Sequence, residues 1–187
     1  MDYEVIKYDP MNKALSQEYL DDTEKMYNES FPENERDWTF AQILEKTQKD
    51  KRLQLLIMLA DPLETGKKQV VAFDMIIVEE KFVYTIYIAS KKQFGIKGYG
   101  AKLGKYVMNE IAKDKFFFFI AEKVEDTAEN KEQRRKRQLF FHRYGLHETG
   151  FERNIGGVVF DLYAKGNATL EERYEYSKIV NDIYYSK

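Results

Sequence analysis

The chain contains no cysteine and only two histidines. Without thiols it has no disulfide scaffold, no thiolate zinc site and no cysteine nucleophile. Two imidazoles are too few for most histidine-ligated metal centres, so no metal is expected. Long apolar runs are missing as well. The longest, at 55–60 and 116–121, fall far short of the roughly 20 residues that span a bilayer, and they read as core strands. The start, MDYEVIKYDP, lacks a basic region followed by an apolar stretch; a secretory signal is not expected, and a cytoplasmic location is. Nor does one sign of charge dominate. Thirty Lys plus Arg against 32 Asp plus Glu leave a net charge of -2, no footprint for nucleic acid or an anionic membrane. Any anion site must therefore be local.

What is present is material for a core. In 187 residues, 43% are hydrophobic and 15% aromatic, which suits one domain, 1–187, with a large buried interior. Alternation over 3–8, stopped by Asp9-Pro10, predicts a short strand. Leu15, Tyr19, Leu20, Met26 and Tyr27 recur at helical spacing over 14–30. Pro32 breaks that helix, and Trp38, Phe40, Ile43 and Leu44 give a second over 36–49. Three strands, 53–60, 70–78 and 82–89, form a meander closed by a tight turn at 79–81. A helix after Gly100 carries Leu103, Val107, Met108 and Ile111. A fifth strand covers 116–121, a charged helix covers 129–143 with Gly145 as its cap, and a hairpin pairs 146–153 with 155–163 through a turn containing Asn154. A last helix spans about 169–185. The fold class is α/β, a mixed sheet with helices on its faces.

Phe94-Gly95-Ile96-Lys97-Gly98-Tyr99-Gly100-Ala101 joins a predicted strand to a predicted helix. Glycines there let the backbone approach a ligand and present its amides, and the helix start adds partial positive charge, a geometry suited to phosphates. Lys91, Lys92 and Lys97 add local charge. A P-loop is excluded because Gly95 and Gly100 are followed by Ala101-Lys102 with no hydroxyl. A dinucleotide fingerprint is excluded because Leu103 stands where the third glycine belongs, and because a meander precedes the loop.

Three segments then carry a resemblance: FPENER at 31–36, IKGYGAKL at 96–103, and EQRRKRQLFFHRYGLHETGF at 132–151. With the order of elements, they resemble the GNAT superfamily of acyl-CoA-dependent acyltransferases, and FPENER with the arginine-rich helix is similar to a bacterial FPxxER subgroup. The resemblance implies a mainly antiparallel sheet splayed between strands 4 and 5, with acyl-CoA in the splay. Main-chain groups near Ala89 and Ser90 would align the pantetheine, and the loop Gly95, Ile96, Lys97, Gly98, Tyr99, Gly100 and Ala101 would hold the pyrophosphate. Gly95 stands where the family usually has Gln or Arg, and Ile96 where glycine is common. Arg134 occupies a position where Asn often meets the pantetheine arm. Phe141 stands where a tyrosine commonly protonates the leaving thiolate.

Transfer from a thioester to an amine needs a neutral nucleophile, a polarised carbonyl and a proton for the thiolate, with no covalent intermediate. Tyr144, one turn after Phe141, is the candidate acid, with His142 a lesser one. Glu33 and Glu35 are candidate bases. Glu33, Arg36, Trp38 and Tyr87 are candidates for the acceptor side; Tyr84 is three residues from Tyr87, so only one of the two can serve. The basic run 131–137 reads as a solvated helix whose charge is offset by neighbouring acids. The expected function is N-acetyl transfer from acetyl-CoA to a primary amine of a small molecule or protein, the alternative being an acyl-CoA-binding module with little or no turnover. The aromatic segment 174–185 either covers the substrate cleft or forms a homodimer face.

Overall fold

A computed structural model describes residues 3–11, 15–33 and 36–186. Its elements are β1 (Tyr3–Lys7), α1 (Gln17–Ser30), α2 (Phe40–Lys49), β2 (Leu53–Ala60), β3 (Gln69–Val78), β4 (Phe82–Ser90), α3 (Tyr99–Tyr106), β5 (Phe116–Glu122), α4 (Lys131–Arg143), β6 (His147–Ile155), β7 (Val158–Lys165) and α5 (Leu170–Tyr184). The strands form one seven-stranded sheet in the order β1-β2-β3-β4-β5-β7-β6. β4 and β5 run parallel, while β1–β2, β2–β3, β5–β7 and β7–β6 are antiparallel. The chain divides into two compact units: Met1–Glu79 with Thr85–Ile111, and Glu80–Tyr84 with Ala112–Lys187.

In the first unit the core is built on β2 and β3. Leu55, Ile57, Met58, Val70, Val71, Met75 and Ile76 have no exposed surface. Strands covered on both faces read as continuous apolar runs, which is why their bounds were legible to within a residue. α1 lays Met26 and Tyr27 into the core. The Tyr27 ring meets Phe31, Phe40, Phe73 and Tyr87 at 5.3–6.1 Å between centroids, and its hydroxyl donates to the Trp38 carbonyl at 2.8 Å. Burial, with Tyr87 next, pushes the Tyr27 phenol far above its ordinary range, so this hydroxyl stays a donor.

α2 starts later than the apolar spacing predicts. Thr39 and Gln42 form a reciprocal capping box, so the helix begins at Phe40 and Trp38 precedes it. Trp38 is buried beneath the Lys46 ammonium, 4.9 Å from the ring centroid. The predicted start of α1 at Ala14 lies outside the described residues.

In the second unit, three β4–β5 pairs (Phe82–Phe116, Val83–Phe117, Tyr84–Phe118) make the parallel ladder, which ends at Tyr84. Along β5 alternate residues serve opposite faces. Phe119 packs with Phe141 of α4 and Tyr163 of β7, whereas Phe116 meets Tyr176 of α5. The terminal hairpin turns two residues later than predicted. Gly156 and Gly157 both take positive φ (58° and 88°), the requirement of a two-residue hairpin turn that Asn154 would meet less readily. Asn154 instead continues β6, and its side-chain oxygen accepts from the Gly157 amide at 3.0 Å.

Candidate active site

The glycine loop lies wholly in the first unit. After Ser90 the chain makes a 3-10 turn over Lys92–Lys97, held by the Phe94 amide on the Lys91 carbonyl (3.0 Å) and the Gly98 amide on the Gly95 carbonyl (3.1 Å). The buried Phe94 ring anchors it. Gly98 then adopts φ 64°, ψ 34°, a left-handed conformation that side chains disfavour, and reverses the chain directly into α3. Gly98 has no side-chain oxygen to cap the helix, so its first turn offers amide donors to an outside anion. At Gly100 the constraint is contact: a Cβ would lie 3.1 Å from Ser90 Oγ, so a side chain here would press the Ser90 hydroxyl aside at the end of β4. At Gly95 a Cβ would meet nothing within 4 Å. The lysines are less available than their number suggests. Lys91 pairs with Asp22 at 2.6 Å and the Lys97 ammonium donates to the Pro62 carbonyl, leaving Lys92 exposed. The helix itself is shorter than predicted, since Val107–Ile111 widens into a π turn.

Of the cofactor candidates in the second unit, Arg134 is held by the protein. Its Nε donates to Asn130 Oδ1 at 2.6 Å, Nη1 to the Lys123 carbonyl at 2.9 Å and Nη2 to Glu122 Oε1 at 3.0 Å. Arg137 also reaches Glu122, so the one-turn spacing of the two arginines converges on a single carboxylate at the end of β5. Phe141 is walled by Phe119 and Tyr163, each 4.9 Å away. Tyr144 caps α4 with its ring 4.7 Å from Phe140. The amides of Gly145 and Leu146 turn back to the His142 and Phe141 carbonyls (3.0 and 3.1 Å), a Schellman ending that depends on Gly145 at φ 74°.

Beside Phe141 lies a polar cluster that the sequence did not announce. Glu148 accepts from Gln138 Nε2 (2.7 Å) and the Tyr163 hydroxyl (3.1 Å), and His142 Nε2 lies 2.8 Å from its other oxygen. Partial burial raises the Glu148 pKa, but its own amide, His142, Gln138 and Tyr163 outweigh that and hold it below the ordinary glutamate range. A depressed carboxyl contributes stability above the unfolded pKa and loses it as pH falls through the folded one. Glu148→Gln should therefore cost about 1–2 kcal/mol at pH 7 and flatten the acid limb of stability below about pH 4.5. Urea midpoints at pH 3, 5 and 7 test this; an unchanged acid limb refutes it. Glu148 and Tyr163 are cross-strand partners, a register visible only once the turn is placed at Gly156-Gly157.

Among the acceptor-side candidates, Glu33 is exposed in a short turn and Glu35 lies outside the described residues. Arg36 donates to Asn28 of α1, with its guanidinium 5.4 Å from the Tyr27 ring centroid. Trp38 and Tyr87 both belong to the aromatic core around Tyr27. Tyr84 lines a cavity in the second unit. The sequence also gave no sign of Asp74 on β3, which is fully buried.

No protein-family model matches the chain, and no curated protein does. Solved structures do. A GNAT-family protein from Bacteroides thetaiotaomicron, assigned as an acetyltransferase, is 19% identical, with all of both chains covered and a TM-score of 0.70. The ribosomal-protein-S18-alanine N-acetyltransferase of Escherichia coli is 11% identical over 90% of this chain and 97% of its own, TM-score 0.59. An aminoglycoside 6'-N-acetyltransferase complexed with coenzyme A is 13% identical over 87% and 96%, TM-score 0.59. The chain has the fold of the GNAT acetyltransferases. No helix among the described residues is long and apolar enough to cross a membrane.

Proposed function

We propose that the protein is an acyl-CoA-dependent N-acyltransferase that moves an acetyl group from acetyl-CoA to a primary amine of a small molecule or protein. The observation that carries this reading is the turn from Gly98 into α3, uncapped and free of Cβ at Gly100, on a fold shared with acetyltransferases. The first-turn amides and the Gly100–Ser90 approach fit a pyrophosphate, so Gly98, Tyr99, Gly100 and Ala101 would hold it, with Ala89 and Ser90 beside the pantetheine. The coenzyme A complex of the aminoglycoside enzyme supports the same cosubstrate. Acetyl-CoA supplies the activated carbonyl: the amine nitrogen forms the new amide bond, the C–S bond breaks, and the amine proton is balanced by one delivered to the thiolate. Direct attack suits a chain without cysteine. In this reading Glu33 or Glu35 takes the amine proton and Tyr144 serves the thiolate. Arg36, Trp38 and Tyr87 belong to the acceptor side, and residues 1–187 act as one catalytic domain in the cytoplasm.

Calorimetric titration with acetyl-CoA, using NADH and ATP as controls, followed by thiol release with a panel of amines, tests the proposal. Saturable acetyl-CoA binding and amine-dependent thiol release are expected. Gly100→Val, whose branched side chain must displace Ser90, should weaken acetyl-CoA by at least about tenfold, roughly 1.4 kcal/mol. Absence of acetyl-CoA binding overturns the reading. Binding without thiol release from any amine reduces it to a binding module, the outcome that Phe141 in place of a hydroxyl would explain.

A further inference from the structure

The second unit contains a cavity of about 320 Å³ whose lining comes from β4, β5, β6, β7 and α5. Its apolar part is aromatic and branched: Tyr84, Phe116, Phe118, Ile120, Phe151 and Leu162. On β5 these are the residues of one parity, 116, 118 and 120, so the cavity lies on the face turned away from Phe119 and its contact with Phe141. Three charged side chains join the lining, Glu152, Arg153 and Arg173. Their charges are not spent alike. The Glu152 carboxylate is paired with Lys123. Among the described residues, the Arg153 guanidinium meets neutral oxygens, Asn181 Oδ1 and the Tyr185 hydroxyl, both at 3.4 Å. That of Arg173 donates to the Ala168 carbonyl at 3.1 Å and lies 5.7 Å from the Phe116 ring centroid. Among the described residues neither faces a carboxylate within ion-pair distance.

Two guanidiniums with no carboxylate partner, Arg153 exposed to water and Arg173 half-buried, stand beside aromatic walls and suit a ligand with an anionic end and a flat apolar body. The guanidinium fork matches a carboxylate in two parallel hydrogen bonds, and Phe and Tyr faces suit a ring. The volume is at the small end of ligand cavities, which run from about 300 to 1,000 Å³. A bare phosphate would leave the aromatic walls unused. We propose that this cavity binds a small aromatic monocarboxylate, its carboxylate held by Arg153 and Arg173 and its ring against Phe116, Phe118 and Phe151. Every residue involved lies in the second unit, and Arg153, Arg173, Phe116, Phe118 and Phe151 have no role in the acyl-transfer reading, so the two are tested apart.

The probe is 3-phenylpropionate, titrated calorimetrically against the full chain, with 3-phenylpropanamide as its uncharged counterpart. Saturable binding of the acid at one site per chain is expected, with the amide weaker by about tenfold or more, the worth of a charge-assisted hydrogen bond. Arg153→Gln and Arg173→Gln should each weaken the acid similarly and leave the amide unmoved. Ser177→Trp, which fills the cavity from α5, should abolish binding of both; if that variant melts early, the Arg153→Gln/Arg173→Gln double variant decides instead. The acetyl-CoA affinity of the arginine variants should equal that of the parent. No binding of the acid, equal binding of acid and amide, or arginine variants that bind the acid as the parent does would each overturn the proposal. None of these outcomes depends on thiol release, so this site can fail while acyl transfer stands, and the reverse.

Discussion

Asp74→Leu should stabilise the protein by about 1–3 kcal/mol at pH 7, the cost of a buried polar group left without a partner. In a chain of this length that corresponds to roughly 2–4 °C of melting temperature per kcal/mol. Asp74 stands on β3 opposite Leu56 of β2, with none of its surface exposed. Among the described residues, neither of its carboxyl oxygens nor the Thr85 hydroxyl finds a hydrogen-bond partner. Burial pushes the carboxyl well above the ordinary aspartate range, and Thr85 lies near enough to pull weakly the other way. Leucine keeps the branching at Cγ and removes the polar atoms. The pH dependence gives a second reading of the same site. With the folded pKa raised, the native state holds a proton that the unfolded chain has released. The contribution of Asp74 is therefore full below the unfolded pKa, near 4, and is lost as pH rises toward the folded pKa. Relative to Asp74→Asn, which cannot titrate, the parent should lose stability from pH 4 upward. Parallel pH curves for parent and Asn variant, or a destabilised Leu variant, would sink the account.

Arg134→Ala should act in the opposite direction, costing about 3 kcal/mol, the low end for breaking a buried ion pair. Only 9% of the Arg134 side chain is exposed, and its guanidinium joins α4 to Glu122 at the end of β5 and to the Lys123 carbonyl beyond it. The low end applies because Glu122, 26% exposed, retains Arg137. Lysine should recover less than half of the loss, since one ammonium cannot serve Asn130, Lys123 and Glu122 in three directions. Urea unfolding of Arg134→Ala, Glu122→Gln and the double variant measures the coupling. Additive losses would mean that the pair is a surface contact and would return Arg134 to the list of residues free to meet a ligand.

What the sequence disclosed of this fold follows from where each signal was local. β2, β3 and β4 are apolar runs bounded by turn residues, and their limits were readable within a residue. The start of α2 is hidden because Trp38 stands in one apolar run with Phe40, Ile43 and Leu44 although it precedes the helix; the better sign is the Thr39–Gln42 capping pair. Asn154 draws the expected turn toward itself, whereas the adjacent Gly156 and Gly157 carry the backbone requirement. The glycine loop was legible because its chemistry is main-chain chemistry at consecutive positions. Asp74 was not, since one acid inside FDMII gives no hint of whether water reaches it. The Glu148 cluster and the cavity are assembled from separated strands and helices, and no spacing along the chain encodes them.

The irregularity in β6 has an effect on how the molecule meets its own copies. The strand order leaves β6 at a rim of the sheet, where one row of amides and carbonyls lacks a neighbouring strand. Four residue steps of β6, from Glu148 to Glu152, run against two of β7, from Tyr163 to Asp161. The bulge interrupts that row at its middle, and Glu148, Glu152 and Arg153 place charge on either side of it. Another chain's strand laid along this rim would find only short stretches in register, with charged side chains between them. A bulged, charged rim of this kind disfavours strand-to-strand pairing, one of the routes by which a chain rich in β-forming aromatics could reach fibrils.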